Sequence, residues 1–111
     1  IFADVESSMR IASEEIFGPV LSILTVGSFE EALETANTSE YGLSSSIFTR
    51  SLRHANAFAR NVQAGVVKIN GPTPGNAVNA PFGGRKQSGV NISLKQIDFF
   101  SELKSVYQKF N

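Results

Sequence analysis

Three short apolar runs divide residues 20–70. Residues 20–26 (VLSILTV) are rich in branched side chains and end at Gly27, which predicts a buried strand. Residues 43–49 (LSSSIFT) predict a second strand, and residues 66–70 (VVKIN) predict a third.

Between these runs, apolar residues recur at helical spacing. A Ser-x-x-Glu capping-box pattern that begins at Ser28 predicts a helix over residues 29–37, and the Tyr-Gly pair at 41–42 breaks it. Ser51 is predicted to cap a second helix, which would stop at Gly65. The apolar face of this helix would consist of Leu52, Ala55, Ala59 and Val62.

The element order is therefore β-α-β-α-β with short connections. This order predicts an α/β fold with a mostly parallel sheet and right-handed crossovers. The single histidine, His54, falls in the first turn of the second helix with no other histidine nearby. We interpret it as a solvated surface residue and not as a ligand or a base.

After the third strand the regular pattern stops. Residues 71–89 contain five of the nine glycines and three of the four prolines, which predicts a long loop, either functional or mobile. Phe82 could anchor this loop, and Arg85-Lys86 place charge beside the Gly83-Gly84 pair. Residues 103–108 predict one last short strand.

Composition narrows the class of protein. The chain has 111 residues, of which 41% are hydrophobic and 18% charged, which is typical of one globular domain or part of one. It opens on Ile1, so a piece of a longer protein is one interpretation.

There is no cysteine, which excludes disulfides, thiolate metal sites and a thiol nucleophile within this chain. No apolar run reaches membrane-spanning length and no signal peptide begins the chain, so we expect a cytoplasmic protein without a membrane partner.

The charges are balanced overall but unevenly distributed. Residues 1–42 carry eight acidic residues and Arg10 as their one base, whereas residues 43–111 carry nine bases and two acids. A basic second part could bind nucleic acid. Because these bases are dispersed and form no run, we favour the interpretation that the acidic and the basic parts face each other or other segments. We therefore expect no nucleic-acid partner.

Four motifs, in this order, resemble the NAD(P)-dependent aldehyde dehydrogenase superfamily. They are Glu14-Glu15-Ile16-Phe17-Gly18-Pro19-Val20, Tyr41-Gly42-Leu43, Ala80-Pro81-Phe82-Gly83-Gly84 and Lys86-x-Ser88-Gly89. The resemblance extends from Ile1 to the stretch 104–107 and so covers nearly the whole chain. One such motif is weak evidence, whereas four in sequence are strong.

The resemblance implies that the chain is the C-terminal portion of such an enzyme. Residues 1–98 would be the end of the catalytic domain, and residues 99–111 the oligomerisation strand segment of a homo-oligomer. In this family the dinucleotide-binding domain, the catalytic cysteine, the oxyanion asparagine and the general-base glutamate lie upstream of the first motif. We therefore assign no catalytic residue here and expect the chain alone to be inactive.

The same resemblance assigns cofactor contacts to Glu15 and Phe17. An ionised carboxylate only accepts hydrogen bonds, so it suits the two hydroxyl donors of a ribose. Glu15 would accept from the nicotinamide ribose of NAD or NADP, and Phe17 would pack near the nicotinamide ring. In an extended segment, residues two apart point to the same side, whereas Glu14 would face elsewhere in a structural role. Gly18-Pro19 would then turn the chain into the first strand.

The resemblance also makes residues 71–89 part of the aldehyde-entry tunnel, with Phe82 at the substrate site. The polar loop residues favour a polar semialdehyde over an apolar aldehyde; they are Asn70, Thr73, Asn76 and Asn79. Residues 90–98 depart from the family, which usually has a Gly, then an Arg-Glu pair and a further Gly after the Ser-Gly motif.

Two functions from different classes fit these observations. The first is a portion of an enzyme that oxidises an aldehyde to a carboxylic acid with NAD or NADP. The alternative is a non-catalytic oligomerisation module or a degenerate homologue of the enzyme.

Overall fold

The computed structural model describes residues 1–75, 77, 80–89, 106 and 108. Within these residues it contains three helices and four short strands. In chain order they are α1 (Arg10–Ser13), α2 (Phe29–Thr38), β1 (Tyr41–Gly42), β2 (Ser44–Ile47), α3 (Leu52–Asn61), β3 (Val66–Ile69) and β4 (Arg85–Lys86). The predicted strand 103–108 and the altered segment 90–98 lie outside the described residues, apart from the exposed Val106 and Gln108.

The centre of the fold is a parallel pair of strands joined by a helix. β2 and β3 pair in parallel register from Ser44 opposite Val66 to Ile47 opposite Ile69, and α3 connects them. The second and third predicted strands are confirmed, as is the parallel pairing between them. A parallel pair needs a crossover of this kind because its strands cannot be joined by a tight turn.

The first predicted strand is wrong in its extent and in its burial. In residues 20–26 only Ser22 forms a β-bridge, which is parallel to Phe2, and Leu21 remains 57% exposed. Backbone bonds from Phe2 N to Leu21 O (2.8 Å) and from Ile23 N to Phe2 O (2.8 Å) fasten this run to the N-terminus. Its apolar composition favours burial, but the described residues cover Leu24 and Val26 only in part and leave Val20, Leu21 and Ile23 exposed.

Both predicted helix caps are confirmed. The Ser28 hydroxyl accepts from Glu31 N (3.1 Å), and the Ser51 hydroxyl accepts from His54 N (3.2 Å). The Glu31 carboxylate accepts from the amide of Gly27 at 2.7 Å, one residue before the cap. Each helix thus begins where a hydroxyl satisfies an otherwise unpaired N–H group.

The buried face of α3 differs from the predicted one. Ala55, Phe58 and Val62 are buried, whereas Leu52 is 75% exposed and Ala59 is exposed. Positions i, i+3 and i+7 lie on one side of a helix, so the true stripe is centred on Phe58. The helix ends at Asn61 and not at Gly65, with Val62 as its C-cap donating to Phe58 O.

Two further predictions need correction. The helix does end before the Tyr-Gly pair at 41–42, as predicted, but this pair forms β1. The loop over residues 71–89 is not without regular structure, since Arg85–Lys86 pairs with β1 antiparallel as β4. His54 is half-buried and not solvated, since its ring stacks on Phe29 with centroids 4.4 Å apart and planes at 3°. The β1–β4 pairing and the stack of His54 on Phe29 both join residues that are distant along the chain.

No helix in the described residues has the length and apolar character needed to cross a membrane.

Candidate cofactor and substrate site

The segment after α1 carries the two predicted cofactor residues. At the start of the segment, the amide of Glu14 donates to Arg10 O (2.8 Å). After its end, the Ser22 hydroxyl donates to Ile11 O in α1 (3.2 Å). A bond from Val20 N to Gly18 O (2.7 Å) closes the predicted turn at Gly18-Pro19. The segment between these contacts is therefore fixed at both ends.

The two adjacent glutamates have different surroundings. The Arg10 guanidinium donates to the Glu14 carboxylate from Nη2 at 2.7 Å and from Nε at 3.1 Å. The Glu15 carboxylate, in contrast, has no hydrogen bond or ion pair with any described residue. Of the pair, Glu15 is therefore the one whose acceptor oxygens are available to a ligand.

Phe17 has an unusual backbone and an exposed ring. Its φ is +52°, a left-handed conformation that is uncommon for a bulky residue and marks local strain. Its side chain is 91% exposed. The expectation of an extended backbone is therefore wrong at Phe17, although Phe17 and Glu15 still line one cleft of about 290 Å³. Glu14 lines this cleft with them, so the expectation that it faces elsewhere is also wrong.

Glu15 also lines a second cleft, of about 470 Å³, between the two helix ends and the Gly-rich loop. Most of the polar wall comes from hydroxyl and amide side chains, namely Ser39, Ser44, Ser45, Gln63, Gln87 and Ser88. Glu15 is the one charged residue in this wall. The cleft therefore offers hydrogen-bonding groups around a single carboxylate.

Phe82 does not line either of these clefts. It is 39% exposed, and its neighbours Pro81 and Gly83 line a third cleft of about 540 Å³ beside the end of α3. The loop instead reaches the Glu15 cleft through Gln87 and Ser88. Glu15 and Phe17 are thus brought together, while Phe82 belongs to another side of the loop.

The start of the loop is fastened to β3 and β2. Lys68 donates from Nζ to the carbonyl oxygens of Pro74 (2.8 Å) and Gly75. The Ser46 hydroxyl donates to Gly71 O at 2.5 Å. Asn70, at φ +55°, accepts from Thr49 N (2.8 Å) and donates to Thr49 O (3.0 Å). These bonds hold the polar loop against the carboxyl ends of the parallel strands, where ligands bind in many α/β proteins.

Sequence reasoning missed two residues that organise this region. Asn37 bonds to Asn61 O (3.0 Å) and Gln63 N (2.8 Å), and Lys86 bonds to two carbonyl oxygens at the end of α2. The partners lie 24 to 49 positions away, so no local pattern could have identified them. No group of three residues able to hold a metal ion occurs among the described residues.

Comparison with known proteins decides the family. The sequence profile of the Aldehyde dehydrogenase family matches residues 1–106. The chain belongs to the aldehyde dehydrogenase family. The resemblance seen in its motifs is thereby confirmed.

Relatives within the family carry several substrate names. The chain is 44% identical to an α-ketoglutarate semialdehyde dehydrogenase of Haloferax volcanii, over 99% of this chain and 24% of that protein. It is 48% identical to a geranial dehydrogenase of Castellaniella defragrans, over 96% of this chain and 22% of that protein. The chain thus spans about a quarter of the length of these relatives.

Solved structures of the family share its fold. The chain superposes on the P. syringae indole-3-acetaldehyde dehydrogenase bound to NAD+ and IAA with a TM-score of 0.82 and 46% identity, over 97% of this chain and 22% of that one. It also superposes on the NAD-dependent aldehyde dehydrogenase of Sinorhizobium meliloti with a TM-score of 0.77 and 42% identity, over 81% of this chain and 18% of that one. The chain therefore has the α/β fold of the matching part of these aldehyde dehydrogenases.

Proposed function

We propose that the chain is the C-terminal part of a cytoplasmic, oligomeric aldehyde dehydrogenase that oxidises an aldehyde to a carboxylic acid with NAD or NADP. In this proposal residues 1–98 complete the catalytic domain and residues 99–111 contribute the oligomerisation strand. The cysteine nucleophile would come from outside these residues, since they contain no cysteine, and so would the dinucleotide-binding domain, which lies upstream of the first motif in this family.

One observation carries the proposal: Glu15 and Phe17 line the same cleft, and neither side chain has a hydrogen bond, ion pair or ring contact with any described residue. The Glu15 carboxylate has no partner in the described part of the chain, while Arg10 occupies that of Glu14. Phe17 exposes its ring from a strained left-handed backbone. A strained backbone that holds an aromatic ring in solvent is explained if a flat ligand packs on that ring. The nicotinamide ring is such a ligand for Phe17.

Glu15 would then accept the hydroxyls of the nicotinamide ribose. A carboxylate with both oxygens available can accept from two neighbouring hydroxyls at once, which fixes the position of the sugar. Since the ribose carries the nicotinamide, this contact also sets where the reacting carbon lies. Structures of similar proteins in complex with NAD+ support this cofactor class.

For the substrate we propose a polar semialdehyde, received by a loop that includes Phe82. The fastened segment 70–75 carries the polar side chains of Asn70 and Thr73, whereas Asn76 and Asn79 lie outside the described residues. Three relatives have names that fit such a substrate. They are the α-ketoglutarate semialdehyde dehydrogenase of Haloferax volcanii, the α-ketoglutaric semialdehyde dehydrogenase of Bacillus subtilis and the 2,5-dioxopentanoate dehydrogenase of Saccharolobus solfataricus. Activity of the complete enzyme on α-ketoglutarate semialdehyde and on geranial would separate the two substrate classes.

The cofactor role is tested by Glu15→Gln in the complete enzyme. This change keeps the shape of the side chain but removes its charge and replaces one acceptor oxygen with a donor. We expect a loss of about 1.5–3 kcal/mol in cofactor interaction, the usual size for a charge-assisted hydrogen bond. Part of this loss should slow hydride transfer at saturating cofactor, because a displaced ribose misplaces the nicotinamide.

Glu14→Gln is the matched control. Its exposed ion pair with Arg10 contributes at most about 1 kcal/mol to stability, and because Arg10 occupies its carboxylate we expect a much smaller effect on the cofactor, although Glu14 lines the same cleft. Single-turnover measurements should therefore separate the two variants. Equal behaviour of Glu14→Gln and Glu15→Gln, or a Glu15→Gln enzyme identical to the parent, would contradict the assignment.

The alternative function is a non-catalytic module that binds other subunits. It is favoured by the absence of cysteine in this chain and by its exposed apolar residues. Sequencing upstream of the codon for Ile1 distinguishes the two functions. An in-frame segment with a catalytic cysteine supports the enzyme, and a start codon directly before Ile1 supports the module.

A further inference from the structure

The C-terminal end of α2 lacks a cation of its own. Its first turn carries Glu30 and Glu31, but its last turn contains no basic residue. A helix end of this kind presents unpaired carbonyl oxygens and a partial negative charge. Either a side chain from elsewhere or water must satisfy them.

Lys86 provides that cation from the Gly-rich loop. Its ammonium donates to Asn37 O and to Ser39 O, each at 2.6 Å, across 49 and 47 positions of the chain. Lysine side chains are known partners of the last carbonyls of a helix. The end of α2 and the loop are therefore joined through one side chain.

The same contact couples the loop to α3. Asn37, which accepts from Lys86, also bonds through its side chain to Asn61 O, the last residue of α3, and to Gln63 N. A shift of Lys86 would thus disturb the ends of both helices. The position of the loop is therefore tied to the C-terminal ends of two helices, α2 and α3.

The residues around Lys86 hold the loop closely on both sides. Lys86 adopts a φ of +55°, which an unbranched L-residue keeps only when its surroundings enforce it. Gln87 N donates to Glu40 O (3.0 Å), and Gly42 N donates to the Ser88 hydroxyl (3.0 Å). On the Phe82 side, a Cβ at Gly65 would overlap the carbonyl oxygen of Gly83.

We propose that Lys86 is a positioning residue: by binding the carbonyl oxygens at the end of α2, it sets where the loop presents Phe82 to the aldehyde. Lys86 itself touches neither aldehyde nor cofactor. The inference rests on the proposed function, because it uses the role of Phe82 at the substrate site. The inference makes aldehyde affinity depend on Lys86, a residue outside the Glu15 cleft.

The first test is kinetic and uses the complete enzyme. We expect Lys86→Met to raise KM for the aldehyde about tenfold, with a smaller change in kcat, because the loop that presents Phe82 shifts. KM for the nicotinamide cofactor should rise less, since Gln87 and Ser88 of the loop form only part of the wall of the Glu15 cleft. Lys86→Arg keeps a cation with several donors and should restore KM to within about threefold of the parent. Arg85→Met, the control, removes a neighbouring charge from the same strand and should behave like the parent.

The second test is amide hydrogen exchange on the same variants. In Lys86→Met the amides of Gly42 and Gln87 should exchange faster, while that of Val66, which donates to Leu43 O, should keep its protection. If Lys86→Met does not fold, Lys86→Gln, which retains two donors, replaces it in both measurements.

The outcomes separate this inference from the proposed function. An unchanged aldehyde KM, or equal acceleration of exchange at Gly42, Gln87 and Val66, overturns the positioning role. A parent enzyme that oxidises no aldehyde defeats the proposed function instead, and the exchange pattern then still decides whether Lys86 positions the loop.

Discussion

At the residue scale, neighbouring residues of the same type have different tasks. Glu14 is neutralised by Arg10, one turn earlier in the chain, whereas Glu15 faces two clefts with its carboxylate unpaired. Composition and periodicity favoured two solvated acids here, and only the family motif distinguished them. The structure adds the local reason, which is the i,i+4 ion pair that occupies one glutamate of the two.

Glycine at position 65 is required by a close approach of two backbones. Its φ is not in the left-handed region, so sterics and not backbone freedom explain it, since an added Cβ would overlap Gly83 O. We expect Gly65→Ala to lower the free energy of unfolding by about 1–3 kcal/mol, as overpacking does. Urea denaturation of the complete protein measures this change.

Gly71→Ala is the control for this substitution. No atom lies within 4 Å of the Cβ it would add, so we expect a change within about 0.5 kcal/mol. If both variants lost the same stability, the contact between Gly65 and Gly83 would not be the cause.

At the element scale, α3 is the helix on which the described core depends. The buried stripe of Ala55, Phe58 and Val62 faces inward, whereas the predicted stripe began at Leu52. The helical period was recognised correctly, but its phase was chosen from aliphatic residues alone. Phe58 was left out, although its size makes it the largest contribution to this face.

Phe58→Ala and Leu52→Ala test the phase of the helix directly. Phe58 is 6% exposed, so its truncation should cost about 3–5 kcal/mol through lost burial and a cavity. Leu52 is far more exposed, and its truncation should cost less than about 0.5 kcal/mol. Urea midpoints followed by circular dichroism report both, and a larger loss for Leu52→Ala would show that the stripe is centred elsewhere.

At the scale of the whole molecule, the described residues leave much apolar surface uncovered. Only Val5, Ala55, Phe58 and Val62 are buried among the apolar residues of the described ranges. Exposed residues include Phe2, Leu21, Ile23 and Phe48. β2 and β3 pair only with each other in this part of the chain, so each has a free edge. Such surfaces and edges favour association.

We therefore expect the 111-residue chain alone to form oligomers or aggregates. The physical reasons are the uncovered apolar runs and the free strand edges, and in addition the strand predicted at 103–108. Sedimentation velocity over a range of concentrations checks this expectation. A single monomeric species at high concentration would count against it.

The sequence by itself determined the elements whose signals are local. Ser28 and Ser51 marked both longer helices because a hydroxyl caps a helix from within one turn. The parallel β2–β3 pair followed from two short apolar runs joined by a helix, since such a connection leaves few other arrangements. The four motifs in their order, from Glu14 to Gly89, indicated the family, which the comparison confirmed.

Only the tertiary structure decided the contacts between distant segments. The pairing of β1 with β4, the stack of His54 on Phe29 and the bonds from Lys86 to the end of α2 have no local pattern. The same is true of the exposure of residues 20–26, since burial depends on what packs against a run and not on its composition. Local sequence specifies what a segment can form, whereas hydrogen bonds and packing across 20 or more positions specify where it lies.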